Sequence, residues 1–130
     1  MPIVLLDTTV LIDAVRGREA ADRIRALRES SPAPFTSAVN IEELWRGARA
    51  NEEATIRRLL RGLRVALLGE REGELAGMWR RDFAAKGITL SQADCLTAAA
   101  AISVGAHLAT GNSRDFPMKE LVVEEWPAGA

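Results

Sequence analysis

Residues 3–13 read Ile-Val-Leu-Leu-Asp-Thr-Thr-Val-Leu-Ile-Asp, and the fold follows from this segment. Its first four residues are all apolar, which is typical of a strand buried on both faces of a sheet. The apolar run ends at Asp7, and the residues from Thr9 to Arg16 have the character of a short helix that ends near Gly17. The segment therefore predicts a buried strand that leads almost directly into a helix.

Short apolar strands and helices alternate along the rest of the chain. Further strands are predicted at residues 35–37, 65–68, 107–110 and 121–123, and further helices at 19–29, 40–48, 56–63, 75–83 and 92–104. The helix at 19–29 is expected to break at Ser30-Ser31-Pro32. This alternation predicts one α/β domain over residues 1–130, in three layers, with helices on both faces of a central, mainly parallel sheet of four to five strands.

The composition fits one domain and excludes several kinds of site. With 130 residues, 48% of them hydrophobic, the chain can form a real core, and a net charge of −1 says little about a polyanionic or membrane partner. One cysteine and one histidine exclude an internal disulfide and a Cys/His zinc site, so Cys95 is expected in the core and His107 in a structural role. No segment has the form of a membrane span or a signal peptide, and a cytoplasmic protein is expected.

Four acidic residues stand where a predicted strand passes into a loop or helix: Asp7, Glu43, Asp94 and Asp115. In an open α/β sheet, ligands bind in the crevice beyond the carboxyl ends of the strands, so these carboxylates are expected to converge. Converging carboxylates repel one another unless a divalent cation neutralises them, and Mg²⁺ or Mn²⁺ prefers such hard oxygen ligands. The pattern predicts a metal site at this edge of the sheet.

Each acid taken alone also has an ordinary structural interpretation. Asp7 could form an Asx-type turn after the strand, and Asp115 could stabilise the turn that contains it. Glu43 and Asp94 each stand three residues after a possible capping residue, Asn40 and Ser91, which is the spacing of a helix capping box. Two helices that present acids toward the edge where Asp7 lies nevertheless favour a pocket over unrelated caps.

Four segments, in order along nearly the whole chain, resemble the acidic motifs of the PIN-domain nucleases and, within them, of the VapC toxins. The first is Leu-Asp-Thr-Thr-Val-Leu-Ile-Asp at 6–13, and the second is Glu43-Leu44 followed by Gly47-Ala48. The third is Ala93-Asp94, and the fourth is Leu-Ala-Thr-Gly-Asn at 108–112 followed by Asp115-Phe116. The resemblance implies the PIN-domain fold.

Residue by residue, the resemblance implies roles or places for eight side chains. Asp7, Glu43 and Asp94 match the metal-coordinating catalytic acids, with Asp115 as the fourth. Asn112 competes with Asp115 for the fourth place, because the fourth acid of some relatives falls there. Thr9 stands where a small polar residue braces the first aspartate, and Thr110 is expected to orient water or phosphate. Asp13 is expected beside the site or on the surface of the first helix.

The resemblance also implies an activity and partners. It implies a Mg²⁺-dependent endoribonuclease, with Mn²⁺ as an alternative ion, which hydrolyses RNA phosphodiester bonds with metal-activated water and leaves a 5′-phosphate and a 3′-hydroxyl. It further implies the toxin of a type II toxin–antitoxin pair, with a cognate VapB-type antitoxin, a homodimer and a larger toxin–antitoxin assembly. A housekeeping PIN nuclease of RNA processing and a non-catalytic PIN-like RNA- or protein-binding module are the alternatives.

Two further sets of residues are candidates for binding surfaces. Arg46, Arg49 and Arg114 are candidates for contacts with RNA phosphates, because the guanidinium group donates paired hydrogen bonds. An antitoxin groove could be lined by four apolar residues, for which core packing is the favoured interpretation: Trp45, Leu59, Leu60 and Trp79.

Overall fold

The computed structural model describes residues 2–30 and 32–130, and in these residues five parallel strands form one sheet, with the first strand at its centre. The strands are β1 (Val4–Leu6), β2 (Phe35–Ser37), β3 (Arg64–Ala66), β4 (His107–Thr110) and β5 (Val123–Glu125). They lie in the order β3-β2-β1-β4-β5, and each neighbouring pair is parallel. The predicted central sheet is confirmed.

Helices cover both faces of this sheet. In the described ranges they are α1 (Thr8–Val15), α2 (Glu19–Ser30), α3 (Ala38–Arg46), α4 (Glu53–Arg61), α5 (Glu70–Ala84) and α6 (Gln92–Ser103). Successive residues of a strand point to opposite faces. Leu5 accordingly packs in a core with α5 and α6, whereas Val4 and Leu6 pack in a second core with α1 to α4. The three-layer α/β/α arrangement is therefore confirmed.

Several element boundaries differ from those predicted. The fifth strand was expected at residues 121–123, but Leu121 is buried ahead of the strand, and β4 pairs instead with Val123–Glu125. Leu121 was included in the predicted strand because it is apolar, but its apolar side chain reflects burial in the core and not pairing with β4. The third strand was expected to reach Leu68, but it ends at Ala66, and Leu67 is 83% exposed. Ser31, in the expected break after α2, lies outside the described residues.

Cys95 and His107 occupy the structural positions expected for them. Cys95 is 0% exposed within α6 and packs in the core beneath the sheet. The His107 Nδ1 atom lies 2.9 Å from Glu124 Oε2, so the ring links the neighbouring strands β4 and β5. Among the described residues, no helix combines the length and apolar character needed to cross a membrane.

Candidate active site

Asp7 lies at the carboxyl end of the central strand and is the best-anchored of the four acids. Only 6% of it is exposed. Thr110 Oγ1 donates a 2.7 Å hydrogen bond to its Oδ2, and Asn40 Nδ2 lies 3.2 Å from its Oδ1. Burial raises the pKa of Asp7 above its ordinary value, the Thr110 hydrogen bond opposes this rise, and the charges of Glu43 and Asp115 add to it. The carboxylate is therefore held from both sides near other negative charges.

Glu43 reaches the same edge from α3. The hydroxyl of Thr8, the first residue of α1, donates a 2.6 Å hydrogen bond to Glu43 Oε1. Asp7 and Thr8 are adjacent, so one strand-to-helix junction fixes two acids that are 36 positions apart in the sequence. Ser37, not Asn40, caps α3: the Asn40 N–H points to Ser37 Oγ. The expected capping box between Asn40 and Glu43 was therefore wrong.

Asp94 lies in the first turn of α6, which Ser91 caps as expected, because Ser91 Oγ accepts from the Asp94 N–H at 3.0 Å. The pKa of Asp94 is raised from 3.8 to about 6, chiefly by burial. A hydrogen bond with Ser91 opposes the rise, while the charges of Asp7, Asp115 and Glu43 increase it. Asp94 and Asp7 are therefore close enough to be influenced electrostatically by Glu43 and Asp115, and Asp94 also by Asp7.

Asp115 and Asn112 both follow β4, in a loop that is more exposed than the strand ends. Asp115 is exposed at the end of the 3₁₀ turn Ser113–Asp115, yet its charge acts on both Asp7 and Asp94. The backbone N–H of Asn112 donates to Thr110 Oγ1 at 3.0 Å, and the Asn112 side chain is exposed. Thr110 thus connects the loop to Asp7, since its hydroxyl hydrogen is donated to that carboxylate.

Thr9 braces this loop instead of the first aspartate. Its Oγ1 accepts a 2.9 Å hydrogen bond from the Gly111 N–H. The expected contact between Thr9 and Asp7 is therefore corrected: the side chains that hold Asp7 are Thr110 and Asn40. Gly111 also lies against the end of the chain, where an added Cβ would be 2.9 Å from Ala128 Cβ.

Asp13 has a structural role that differs from the one expected for it. It is buried, with Arg18 donating a 2.6 Å hydrogen bond to Oδ1 and the Gly129 N–H donating a 2.9 Å bond to Oδ2. It therefore ties the end of α1 to the C-terminal segment. The expectation of a surface position was wrong, and its hydrogen bonds join it to Arg18 and Gly129, not to the four acids.

The donor set suits a hard divalent cation, although it is not a closed coordination shell. Asp7 and Asp94 each lie within the electrostatic influence of other acids of the set, and the charges that raise the pKa of these two residues are all carboxylates. Carboxylate oxygens of this kind are what Mg²⁺ and Mn²⁺ prefer. Within residues 2–30 and 32–130, however, no three His, Cys, Asp or Glu side chains are arranged to hold an ion directly. The structure provides charge and anchoring, and direct ligation remains a prediction.

Three polar residues near the acids escaped the sequence analysis as functional candidates: the buried Asn40 and Thr97 and the half-buried Thr8. Asn40, which is 0% exposed, lies 3.1 Å from Thr8 Oγ1 and 3.2 Å from Thr97 Oγ1 through its amide nitrogen. These contacts join α1, α3 and α6. The sequence did contain a signal for these three residues, because each is polar within an otherwise apolar helical pattern. The sequence alone does not show that the three side chains contact one another.

Two surface cavities lie close to residues that the sequence analysis named. One of about 360 Å³ lies between α3 and α6, and its lining includes Glu43, Val39 and Leu96. Another of about 470 Å³ is lined by Trp45, Arg57, Leu60 and Arg61, with the Arg57 guanidinium 4.9 Å from the centre of the Trp45 ring.

Core packing is confirmed for Trp79, one of the candidates for the antitoxin groove. Trp79 is buried, and its Nε1 donates a 2.8 Å hydrogen bond to Glu120. Arg46, Arg49 and Arg114 are exposed, as a contact with RNA requires.

Comparisons with known proteins agree with this arrangement. A PIN domain model matches residues 4–120. The chain is 30% identical over 115 residues to ribonuclease VapC19 of Mycobacterium tuberculosis, which covers 88% of this chain and 92% of the relative. It is similar, with a TM-score of 0.84 and 21% identity, to a chain of VapBC2 from Rickettsia felis in a crystal structure bound to a DNA fragment from their promoter, covering 95% and 98% of the two chains. A chain of a toxin–antitoxin complex from Klebsiella pneumoniae gives a TM-score of 0.74 at 26% identity, covering 95% and 99%.

Proposed function

Because the chain belongs to the PIN domain family, in its VapC group, we propose that it is a metal-dependent endoribonuclease and the toxin of a type II toxin–antitoxin pair. The observation that carries the proposal is the meeting of acids at the carboxyl end of the sheet: Thr8 bonds to Glu43 next to Asp7, and the charges of Asp7, Glu43 and Asp115 all raise the pKa of Asp94. A relative named as a ribonuclease, at 30% identity, supports the choice of reaction.

Mg²⁺ usually keeps several of its waters and binds through one or two carboxylates, so the four acids would hold Mg²⁺ or Mn²⁺ partly through water, and each acid contributes in a different way. Asp7 keeps a fixed orientation between Thr110 and Asn40, and Glu43 is fixed by Thr8. Asp94 retains its proton more strongly than an ordinary aspartate, so a bound cation would favour its ionised form. A divalent ion there supplies a water molecule of lowered pKa and neutralises charge on the phosphate. No side-chain nucleophile is required.

Single-stranded or loop RNA is the substrate class that this site suits best. Unpaired bases and their phosphates can be splayed into a crevice, whereas a regular duplex cannot. The cavity of about 360 Å³ beside Glu43 offers room next to the acids. The exposed Arg114, adjacent to Asp115, would bind a backbone phosphate on the other side of the site.

A VapB-type antitoxin is the proposed protein partner, and a homodimer the proposed assembly. The similar chains from R. felis and K. pneumoniae come from complexes described as VapBC and toxin–antitoxin. The cavity beside Trp45 combines apolar surface from Trp45 and Leu60 with two arginines. Such a surface fits an antitoxin segment that carries apolar and acidic side chains, while a basic residue of the same partner would neutralise the acids.

Incubation of the purified protein with defined RNAs tests the activity directly. Cleavage is expected with Mg²⁺ or Mn²⁺ and is expected to stop when a chelator is added, leaving 5′-phosphate and 3′-hydroxyl ends on mapping. The Asp94→Asn variant is the matched control, because it differs from the wild type by one oxygen-to-nitrogen exchange. Cleavage that persists in the chelator, or equally in the variant, would contradict the proposal.

Expression in a bacterial host separates the toxin from a housekeeping nuclease. Induction of the wild type is expected to arrest growth, and induction of Asp94→Asn is not. Co-expression of a cognate antitoxin should relieve the arrest. A wild type that cleaves RNA in vitro without slowing growth would support the RNA-processing alternative.

A further inference from the structure

Asn40 has the most connected buried side chain near the acids. It is 0% exposed, and its amide reaches four side chains from three parts of the fold: the β1–α1 junction, the end of β2, and α6. The nitrogen lies 3.2 Å from Asp7 Oδ1, 3.1 Å from Thr8 Oγ1 and 3.2 Å from Thr97 Oγ1, and the oxygen lies 2.6 Å from Ser37 Oγ. A buried amide with this many partners costs little to desolvate and strongly restricts the groups around it.

The direction of each hydrogen bond follows from the other bonds that the hydroxyls make. Thr8 donates its only hydroxyl hydrogen to Glu43, and Thr97 donates its own to the Ala93 carbonyl at 2.9 Å. Both oxygens can therefore only accept from Asn40, as can the ionised Asp7 carboxylate. The amide nitrogen must face these three groups, which share its two hydrogens, and the amide oxygen must accept from Ser37. A reversed amide would place its oxygen against the carboxylate.

This geometry ties three of the four acids to one group. Asn40 contacts Asp7 directly and reaches Glu43 through the Thr8 hydroxyl. Through Thr97 it also contacts α6, where Thr97 bonds to the carbonyl of the residue before Asp94. The amide carries no net charge, so it can hold the acids in position without cancelling the negative charge that would attract a cation.

We propose that Asn40 is a positioning residue that sets the relative orientation of Asp7 and Glu43 for metal binding and RNA cleavage. The inference rests on the proposed function and extends it to a residue on the buried side of the site. Asn40 acts through the acids and does not touch the substrate. Its loss should weaken the metal site and slow the reaction, whereas RNA binding, which uses the exposed face, should be retained.

The Asn40→Ser variant tests this role by removing the amide without adding a charge. Mn²⁺ affinity of the RNA-free protein is measured by calorimetry, and kcat and KM are measured with an RNA that the wild type cleaves. Residues that orient metal ligands typically change metal affinity or activity by roughly 10- to 100-fold, and we expect losses in that range in both Mn²⁺ affinity and kcat, with KM for RNA unchanged. Combination with Thr8→Val should be less than additive, because both changes release Glu43.

Thr36→Val is the control for a general loss of stability. Thr36 is also 0% exposed, and its hydroxyl donates a 3.1 Å bond to the Leu6 carbonyl, so its replacement removes one buried hydrogen bond without touching an acid side chain. We expect a lower Tm with Mn²⁺ affinity and kcat preserved. Losses in Thr36→Val equal to those in Asn40→Ser would overturn the positioning role.

The remaining outcomes separate this inference from the proposed function. A folded Asn40→Ser variant with wild-type Mn²⁺ affinity and kcat overturns the role of Asn40 alone. If Asn40→Ser does not fold, Ser37→Ala serves instead, because it releases the amide oxygen and leaves the amide in place; unchanged Mn²⁺ affinity there overturns the inference. A wild type that neither binds Mn²⁺ nor cleaves RNA overturns the proposed function, and this inference with it.

Discussion

The strand-end region around Asp7 and the loop that carries Asp115 contribute acids to the same site in opposite ways. Asp7 is 6% exposed and is held by Thr110 and Asn40, whereas Asp115 is exposed in a short 3₁₀ turn. The buried region fixes position at the cost of desolvating charge. The loop contributes charge that water still solvates, so its acid can adjust. A site built from both can be rigid toward the metal and adaptable toward a large substrate.

Replacing Asp94 should have the largest effect, because it removes charge from the anchored side. We expect Asp94→Asn to lower RNA cleavage by at least about 100-fold, since changes one contact further from a metal already cost up to that amount. The fold should be retained, because asparagine preserves the shape and the capped first turn of α6. Cleavage kinetics and circular dichroism of the variant measure the two effects. Full activity in a well-folded Asp94→Asn protein would remove this residue from the site.

Substitutions in the loop after β4 should reduce activity less than Asp94→Asn. A comparison of Asp115 and Asn112 variants identifies which of the two is the fourth site residue. Asp115→Asn is expected to reduce kcat by roughly 10-fold, the lower end for residues that tune a metal site. Asn112→Ala should leave kcat near wild type, because the Thr110 contact is made by the Asn112 backbone. Single-turnover cleavage with each variant measures this order. The reverse order would assign the fourth position to Asn112.

Gly111 tests whether the loop depends on its packing against the C-terminal segment. In Gly111→Ala, the new methyl group would lie 2.9 Å from Ala128 Cβ and 3.2 Å from the Trp126 carbonyl oxygen, so one segment must move. Overpacking of this kind typically costs about 1 to 3 kcal/mol, and we expect the lower end because the C-terminal residues are exposed. Urea denaturation measures the loss. Unchanged stability would show that the two segments separate freely.

The last expected effect is a pH dependence of stability that arises from Asp94. Its pKa is about 6 in the folded protein and 3.8 for the ordinary group, so folding favours the protonated form. The corresponding stabilisation is complete below pH 3.8 and is lost as the pH rises through about 6. In chelator, the Tm of Asp94→Asn relative to the wild type should therefore rise across this window. A difference that is flat with pH would mean that Asp94 is solvated like an exposed aspartate.

Local sequence signals predicted the order and type of the helices and strands well. The apolar runs before Asp7 and at residues 107–110 mark strands because they are buried on both faces, and the resemblance of the four acidic motifs to the PIN domain is confirmed at family level. The shift of β5 shows the limit of such signals. Leu121 is apolar because it fills the core, whereas strand position depends on backbone pairing with β4.

The hydrogen bonds that organise the site could not be predicted in the same way. Asn40 meets Asp7 across 33 positions and Thr97 across 57, and no local pattern encodes those distances. Thr9 was assigned to Asp7 by motif position, yet its side chain reaches Gly111. Motif positions thus predicted which acids lie near one another at the strand ends, whereas the fold determines which neutral residues hydrogen-bond to them.

Cys95 carries the single thiol of the protein, and its chemical modification can report local opening of α6. It is sealed in α6 one residue after Asp94, and burial raises its pKa, so a thiol reagent should leave it unmodified while the helix stays packed. The rate at which such a reagent labels the protein then measures how often α6 leaves the core. Slower labelling after addition of Mn²⁺ would show that the ion stabilises the packed position of α6, and the change in rate would measure that stabilisation.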